Sequence, residues 1–128
     1  MPIVDVEIVG PVSARRRAGL ASRLADLAGE ALDVPLGRMW VRVRSLAGRD
    51  FAESGGGPAR GARPGFVRLL RRAWPPLAVR RREARALTEV VARAVGRPVA
   101  HVHVAYEPPG EGRAAFGGDL MDPRPTGR

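Results

Sequence analysis

Proline is the second residue of the chain, and it stands directly in front of a strand pattern. Val4, Val6 and Ile8 alternate with more polar positions, which is the period-two pattern of a β-strand with one apolar face. Because proline is small, we expect the initiator Met1 to be removed from in front of it. The chain would then begin with a secondary amine. The sequence therefore predicts a proton acceptor whose position is fixed by a core strand.

Arginine is the second residue type that could take part in binding or catalysis. All 22 basic residues are arginines, and 13 acidic residues leave a formal charge of +9. The absence of lysine fits a GC-rich coding sequence, so the arginine count alone says little. A basic balance still favours anionic partners, which include carboxylate or phosphate substrates, nucleic acid and acidic protein surfaces. Arg42, in the middle of a strand pattern, either faces water or points into a site. Arg72 shares a basic run with Arg68 and Arg71, so a charged surface and a ligand contact both stay open.

Three consecutive arginines, Arg15, Arg16 and Arg17, occupy the first turn of a predicted helix. Cations in a first turn oppose the helix dipole, so they are not there to stabilise the helix. One interpretation is a solvated helix start. The other is an anion site near the end of the first strand.

Glu53 and His103 are the remaining candidates. Glu53 precedes a glycine segment at 55–57 and either polarises a water or substrate or is a plain loop carboxylate. His103 and His101 alternate along a strand without a third ligand nearby, so no metal site is predicted. The chain has no cysteine, which excludes disulfides and thiolate metal sites. No apolar run approaches membrane-spanning length, so we expect no membrane contact and a cytoplasmic location.

Hydrophobic periodicity gives the elements that must position these residues. Strands are predicted over residues 1–9, 39–46, 66–72 and 101–106, and helices over about 13–32 and 77–95. Residues 47–64 are predicted to be irregular. Phe116-Gly117-Gly118 indicates a short terminal hairpin or strand. We therefore predict one domain over 1–121 and a flexible tail over 122–128.

The predicted order is β-α-β repeated twice, and the two halves resemble each other. The segments 31–35 and 94–98 both end in proline before a strand, and each second strand leads to a Gly-Gly segment. We interpret this as a duplication with units of about 2–57 and 64–121. Each unit should pair its strands in parallel across a helix. The expected fold is α+β (α/β), with a four-stranded mixed sheet and two helices on one face, and its open face argues for oligomerisation.

An N-terminal Pro-Ile-Val on a strand, a duplicated β-α-β unit and these Gly-Gly segments together resemble the tautomerase superfamily. Its members include 4-oxalocrotonate tautomerase, 5-carboxymethyl-2-hydroxymuconate isomerase, macrophage migration inhibitory factor and cis-3-chloroacrylic acid dehalogenase. The resemblance covers residues 2–121 and is most specific at Pro2, at 32–36 and at 115–118. It implies a homotrimer without a cofactor, in which the amino-terminal proline is the general base or acid and arginines bind the carboxylate of a 2-keto or enol acid.

The resemblance assigns roles to individual residues of this chain. Pro2 matches the catalytic proline, Arg42 resembles the arginine of a Val-Arg-Val second strand, and Phe116 resembles an apolar wall residue. Matching the helix ends without a gap would instead put Trp40 at the Arg42 role, with His103 as its counterpart in the second half.

Two other arginines resemble residues of particular members. Arg72 resembles an arginine at the end of the third strand of the dehalogenase, but the second arginine of that enzyme, three residues on, is Pro75 here. Arg15 would replace the arginine after strand one, which falls at Val12, only through a loop shift. Tautomerase, dehalogenase, hydratase and decarboxylase activities therefore all stay open.

Two other functional classes remain as alternatives. The same order of elements occurs in ferredoxin-like folds that bind RNA, and residues 60–85 contain nine arginines with Glu83 as their one acid. Sheet-type RNA readers stack bases on strand aromatics, however, and three Phe, two Trp and one Tyr are all the aromatic residues in the chain. Nucleic acid is thus disfavoured. The last alternative is an inactive trimeric scaffold with the same fold.

Overall fold

The described part of the chain, residues 2–56 and 63–123 of a computed structural model, forms six strands and three helices. The strands are β1 (Ile3–Val9), β2 (Trp40–Leu46), β3 (Gly65–Leu70), β4 (Val102–Tyr106), β5 (Ala115–Phe116) and β6 (Asp119–Leu120). The helices are α1 (Ala14–Arg17), α2 (Leu20–Ala31) and α3 (Leu77–Val95), with 3-10 turns at Gly48–Asp50 and Val99–His101.

Strands β1 to β4 form one mixed sheet in the order β2-β1-β3-β4. β1 is parallel to β2, and β3 is parallel to β4. The two units meet where β1 and β3 pair antiparallel in the middle of the sheet. This topology confirms the predicted four-stranded mixed sheet and the parallel strand pair within each unit. It also makes β1 a central strand whose ends are held on both sides.

One face of the sheet is covered by α2 and α3, as predicted. Val4, Val6 and Ile8 point into this layer and are at most 1% exposed. The partners that bury them come from both helices and from β3 and β4: Leu20, Leu24, Ala28, Val67, Leu69, Leu87, Val91, Val95 and Val102. The alternating pattern of β1 therefore has its apolar face in the core, where burial of each large aliphatic side chain contributes about 1.5–3 kcal/mol.

The opposite face of the sheet is polar. Asp5 faces Arg42 on β2 and Arg68 on β3, while Glu7 faces Arg44 on β2. Within the described residues no helix covers this face. Opposite charges directly across neighbouring strands stabilise a sheet modestly, by about 0.2–1 kcal/mol per pair.

Some predicted boundaries were wrong. The first helix is broken, because Gly19 adopts a left-handed conformation (φ 66°) between α1 and α2. Arg23 then donates to the carbonyl oxygens of Arg16 and Ala18, which the break leaves without helical partners. β3 ends at Leu70, so Arg72 lies beyond the strand. The 3-10 turn after Pro98 delays β4 until Val102.

The ends of the predicted units are only partly within the described residues. Gly57, the limit of the first unit, and residues 124–128 of the predicted tail lie outside them. Asp122, which was predicted to begin the tail, accepts a hydrogen bond from Arg72 through its carbonyl oxygen. Among residues 2–56 and 63–123, no helix is both long and apolar enough to cross a lipid bilayer.

Arg97 fastens the end of α3 to the end of β1. Its guanidinium donates to the carbonyl oxygens of Val9 at 2.9 Å, Arg63 at 2.6 Å and Pro11 at 3.0 Å. Burial, and then the positive charge of Arg63, lower the pKa of Arg97 below its usual value. These bonds satisfy three carbonyl groups where the chain leaves β1 and enters β3.

Candidate active site

Pro2 lies immediately before β1 and is half-buried. Its carbonyl oxygen accepts a hydrogen bond from the backbone N–H of Trp40 at 3.1 Å, which ties it to the start of β2. Proline has no backbone N–H to offer a strand ladder, so it suits the first position of a strand. The central strand thus sets the position of Pro2.

An aromatic wall stands beside Pro2. The rings of Trp40 and Phe116 meet edge to face, with centroids 5.5 Å apart and planes at 73°. Phe116 is brought there by the β5–β6 hairpin, whose turn residues Gly117 and Gly118 have φ values of 61° and 94°. Positive φ at both central residues is the requirement of the tight hairpin turn that glycine meets without strain. The structure therefore brings Trp40 and Phe116 together at the end of the sheet where Pro2 lies.

A cavity of about 300 Å³ begins at Ile3, the residue after Pro2. Its lining consists of Ile3, Asp5, Arg42, Leu70, Glu107, Gly110, Arg113 and Ala114. Two apolar side chains from the central strands, two acids and two arginines thus surround a space that would hold a small organic acid. A larger cavity of about 460 Å³ lies further along the same face, around Glu7, Phe66 and His103. We place the candidate site at the smaller cavity, because its lining begins at Ile3, the residue next to Pro2 in the chain.

Arg42 lies at this cavity but is already engaged. Its Nε and Nη2 donate to the two carboxylate oxygens of Asp5 at 2.6 and 2.8 Å. This hydrogen bonding, followed by the charge of Asp5, raises the pKa of Arg42. The side chain of Arg42 is 68% exposed, so the pair is open to solvent. The arrangement is the two-pronged geometry with which an arginine binds any carboxylate.

Arg72 and its neighbour Arg71 lie just past the end of β3. Arg72 donates to the carbonyl oxygen of Asp122 and so holds the chain that follows β6. In the antiparallel pairing of β1 with β3, Ile3 lies opposite Leu70. One step beyond this pair, Pro2 therefore lies at the level of Arg71. Arg71, and not Arg72, is therefore the arginine that the sheet brings to the level of Pro2.

Arg71 belongs to a buried network that sequence analysis missed. Its Nη1 donates to one oxygen of Glu83 at 2.7 Å, and the hydroxyl of Tyr106 donates to the other oxygen at 2.7 Å. Glu83 lies on α3 and is only 9% exposed. Both carboxylate oxygens are satisfied, which is what keeps a buried charge tolerable. The network joins α3, β4 and the end of β3 behind the candidate site.

Tyr106 should ionise at a higher pH than an ordinary tyrosine. Burial, then the hydrogen bond to Glu83 and its charge, raise the pKa of Tyr106 above its usual value of 10.0. The unfolded chain loses this proton first, so stability should fall as the pH rises above about 10. Because the chain has one tyrosine, ultraviolet titration reads Tyr106 alone. A native chain that titrates at the same pH as its urea-unfolded form would contradict this assignment.

Glu53, His103 and Arg15 lie elsewhere. Glu53 is exposed and lies in the irregular segment after β2. His103 packs on Phe66 with ring centroids 5.8 Å apart, and Phe66 faces Glu7, four residues along β1 from Ile3. Arg15 lies on α1, which follows the far end of β1. A single chain therefore does not bring these three residues to Pro2.

Arg38 is a cation at the Pro2 end that sequence analysis overlooked. It is exposed, lies two residues before Trp40, and its guanidinium has no partner among the described residues. The signal that could have found it is its position directly in front of the strand that pairs with β1. In the described ranges, no group of three or more His, Asp or Glu residues is arranged to hold a metal ion.

No protein-family model and no curated protein sequence matches the chain. The solved structure of a fused 4-OT wild type symmetric trimer matches with a TM-score of 0.77 at 18% identity, over 93% of this chain and 94% of that one. Pt0534 inactivated by 2-oxo-3-pentynoate matches with a TM-score of 0.75 at 18% identity, over 93% and 95%.

A third solved structure, MIF2 of Leishmania major, matches with a TM-score of 0.65 at 14% identity, over 94% of this chain and 97% of that one. Each match spans nearly the whole of both chains, so both β-α-β units and their junction are shared. At these identities the likeness concerns the fold. The chain therefore has the fold of the tautomerase superfamily in its fused two-unit form.

Proposed function

We propose that this chain is a tautomerase-type enzyme that acts on a 2-keto or enol carboxylic acid. After removal of Met1, the secondary amine of Pro2 serves as general base and then as general acid. It takes a proton from the enol oxygen or from carbon and returns it to the other atom. The observation that carries the proposal is the placement of Pro2: a central strand and the Trp40 hydrogen bond hold it at the end of the sheet where Trp40 meets Phe116 and where the small cavity begins at Ile3.

The carboxylate of the substrate needs a cation near Pro2. Arg42 already presents two donors to a carboxylate, that of Asp5, at the cavity next to Pro2. A substrate acid can exchange for Asp5 there, since the pair is exposed and such pairs are worth only about 0–1 kcal/mol. Arg38 offers a guanidinium without a described partner at the same end of the sheet. Trp40 and Phe116 would exclude water on the other side and strengthen these electrostatic contacts.

The open sheet face supports a homotrimer. Its acidic and basic residues alternate across the strands, and the fused 4-OT structure with the same fold is a trimer. Subunits that meet through this face would bring the far end of one chain towards Pro2 of another. Glu53 and His103 would then contribute to the site from a neighbouring subunit. We therefore expect small-carboxylate turnover only in the assembled form.

Covalent labelling of the native chain by 2-oxo-3-pentynoate tests this function. The compound is an alkynyl ketone, so an unprotonated amine adds to its triple bond; one nitrogen–carbon bond forms and no group leaves. We expect an untagged chain whose intact mass lacks Met1, and then one adduct on the peptide that begins with Pro2.

A chain extended by two residues in front of Pro2 is the matched control. It keeps every side chain but lacks the free prolyl amine, so it should take no label and show no ketonisation. Labelling of the extended chain to the same extent, or retention of Met1 in a native chain that remains active, would refute the proposal. A native chain that starts at Pro2, resists the label and turns over no enol acid would favour the inactive scaffold instead.

The nucleic-acid alternative gains no support from the arginine run at 60–85. Several of its members are engaged within the chain: Arg71 pairs with Glu83, Arg68 with Glu107 at 3.1 Å, and Arg80 lies 5.0 Å from the centre of the Trp74 ring. Among the described residues, Phe66 contacts Phe51 and His103 at ring angles of 50° and 39°, so these tilted rings do not form a flat row on which bases could stack. These contacts favour the enzyme over a nucleic-acid binder.

A further inference from the structure

A basic groove lies between the first two helices and the end of α3. Its cavity measures about 700 Å³ and is lined by Ser13, Arg15, Arg16, Arg23, Leu27, Arg93 and Ala94. Because α1 follows the carboxyl end of β1, the groove is at the opposite end of that strand from Pro2. The proposed reaction at Pro2 makes no use of it within one chain.

Two of the groove arginines are fixed in place by neutral acceptors. Arg16 donates to the carbonyl oxygen of Arg93 at 3.3 Å, and Arg23 donates to the carbonyl oxygens of Ala18 and Arg16 at 2.7 and 2.8 Å. Gly96 leaves room for Arg16, since a Cβ there would lie 2.7 Å from its guanidinium. Carbonyl partners orient these side chains but leave their full positive charge uncompensated.

The other two groove arginines have free guanidinium groups. The side chains of Arg15 and Arg93 are exposed, and neither guanidinium has a hydrogen-bond or ion-pair partner within the described residues. The lining holds four arginines and no acid, and the ion pairs of the described chain all lie elsewhere. Like charges gathered within a Debye length of about 8 Å repel one another at physiological salt. A bound anion would remove this repulsion.

The chemistry of the groove indicates which anion. Guanidinium groups bind phosphate oxygens through paired donors, and four of them exceed what a single phosphate needs. The apolar lining is limited to Leu27 and Ala94, so no aromatic ring is present on which a base could stack. We propose that the basic groove binds an oligophosphate, through the phosphates and without recognition of a base.

Calorimetric titration of the full chain with inorganic triphosphate at about 0.15 M salt tests this site. The variant Arg15→Gln/Arg93→Gln removes the two free guanidinium groups, and both side chains are exposed, so the fold should persist. We expect the affinity to fall at least about tenfold for each guanidinium–phosphate hydrogen bond that the variant removes. The variant Arg15→Lys/Arg93→Lys keeps the charge and should retain part of the affinity.

The matched control is Arg81→Gln/Arg85→Gln, which removes the same charge from α3 at a surface that also contains Glu89. Its affinity for triphosphate should stay within about twofold of the parent, because long-range charge is screened. Equal losses in the two glutamine variants would refute a specific site, as would the absence of binding by the parent chain. Tighter binding of single-stranded RNA than of triphosphate, abolished in the same groove variant, would also overturn the proposal. Pro2→Ala should bind triphosphate unchanged, so this test is independent of the proposed reaction.

Discussion

Replacement of Pro2 by Ala should slow the ketonisation of phenylpyruvate enol or 2-hydroxymuconate by about 10²–10⁴-fold in kcat/KM, the range typical of a lost general acid or base. Alanine leaves an amine at the same end of β1, but a primary one with a different basicity. It also frees the backbone torsion that the proline ring fixes. Both changes act on the atom that we propose carries the proton. The measurement is the initial rate of enol loss, followed by absorbance at one fixed pH.

A second proline variant makes this result specific. Pro35→Ala alters a residue in the turn before β2 and leaves intact its carbonyl group, which accepts from the N–H of Arg38 at 3.1 Å. We expect ketonisation within a few-fold of the parent. Intact masses must show that both proteins begin at residue 2. Equal rates for Pro2→Ala and the parent would rule out the proline mechanism, whatever the fate of the oligophosphate groove.

Glu83→Ala should destabilise the chain by about 3–5 kcal/mol, since it leaves the partly buried guanidinium of Arg71 without its counter-charge. The side chains of Glu83 and Arg71 are only 11% and 22% exposed. The Tyr106 hydroxyl loses its acceptor in the same variant. The free energy of unfolding in urea, measured at one fixed protein concentration, reports the loss.

Asp5→Ala is the control for this prediction, because it also deletes an acid that pairs with an arginine. The Asp5–Arg42 pair lies on the open face, with Arg42 68% exposed, and should contribute no more than about 0–1 kcal/mol. Glu83→Gln keeps one acceptor oxygen and should fall between the two. If Glu83→Ala and Asp5→Ala lowered the free energy of unfolding by similar amounts, burial would not determine how much the Glu83 network stabilises the chain.

The fold could be predicted because its signals are local. The alternation of Val4, Val6 and Ile8 and the helical spacing in α3 each depend on a short stretch, and the structure confirms both. The antiparallel β1–β3 junction and its register have no local signal, since the two strands are far apart in sequence. The helix break at Gly19 was not predicted either, because the cost of one glycine in a helix does not outweigh the apolar stripe on either side of it.

The candidate site was predicted residue by residue but not as an arrangement. Trp40 and Phe116 were each named, yet their contact depends on a hairpin that folds back across the sheet. Arg42 binds Asp5 because the β1–β2 register places the two residues opposite each other, and the sequence does not give that register. Glu83 had a usable signal, since it lies four residues before Leu87 on the buried stripe of α3. A lone acid on such a stripe amid arginines predicts a buried ion pair.

The central position of β1 has a consequence for the order of synthesis. β1 is synthesised first, but it cannot pair with β3 until β3 has left the ribosome. The hydrogen bond from Arg97 to the carbonyl oxygen of Val9, at the carboxyl end of β1, forms later still. At typical elongation rates that interval is roughly 5–20 s. The amino end of β1 is therefore completed by residues made long after it. Throughout this interval the strand lacks one of its two sheet partners, so we expect the removal of Met1 to take place on a chain whose sheet is not yet complete.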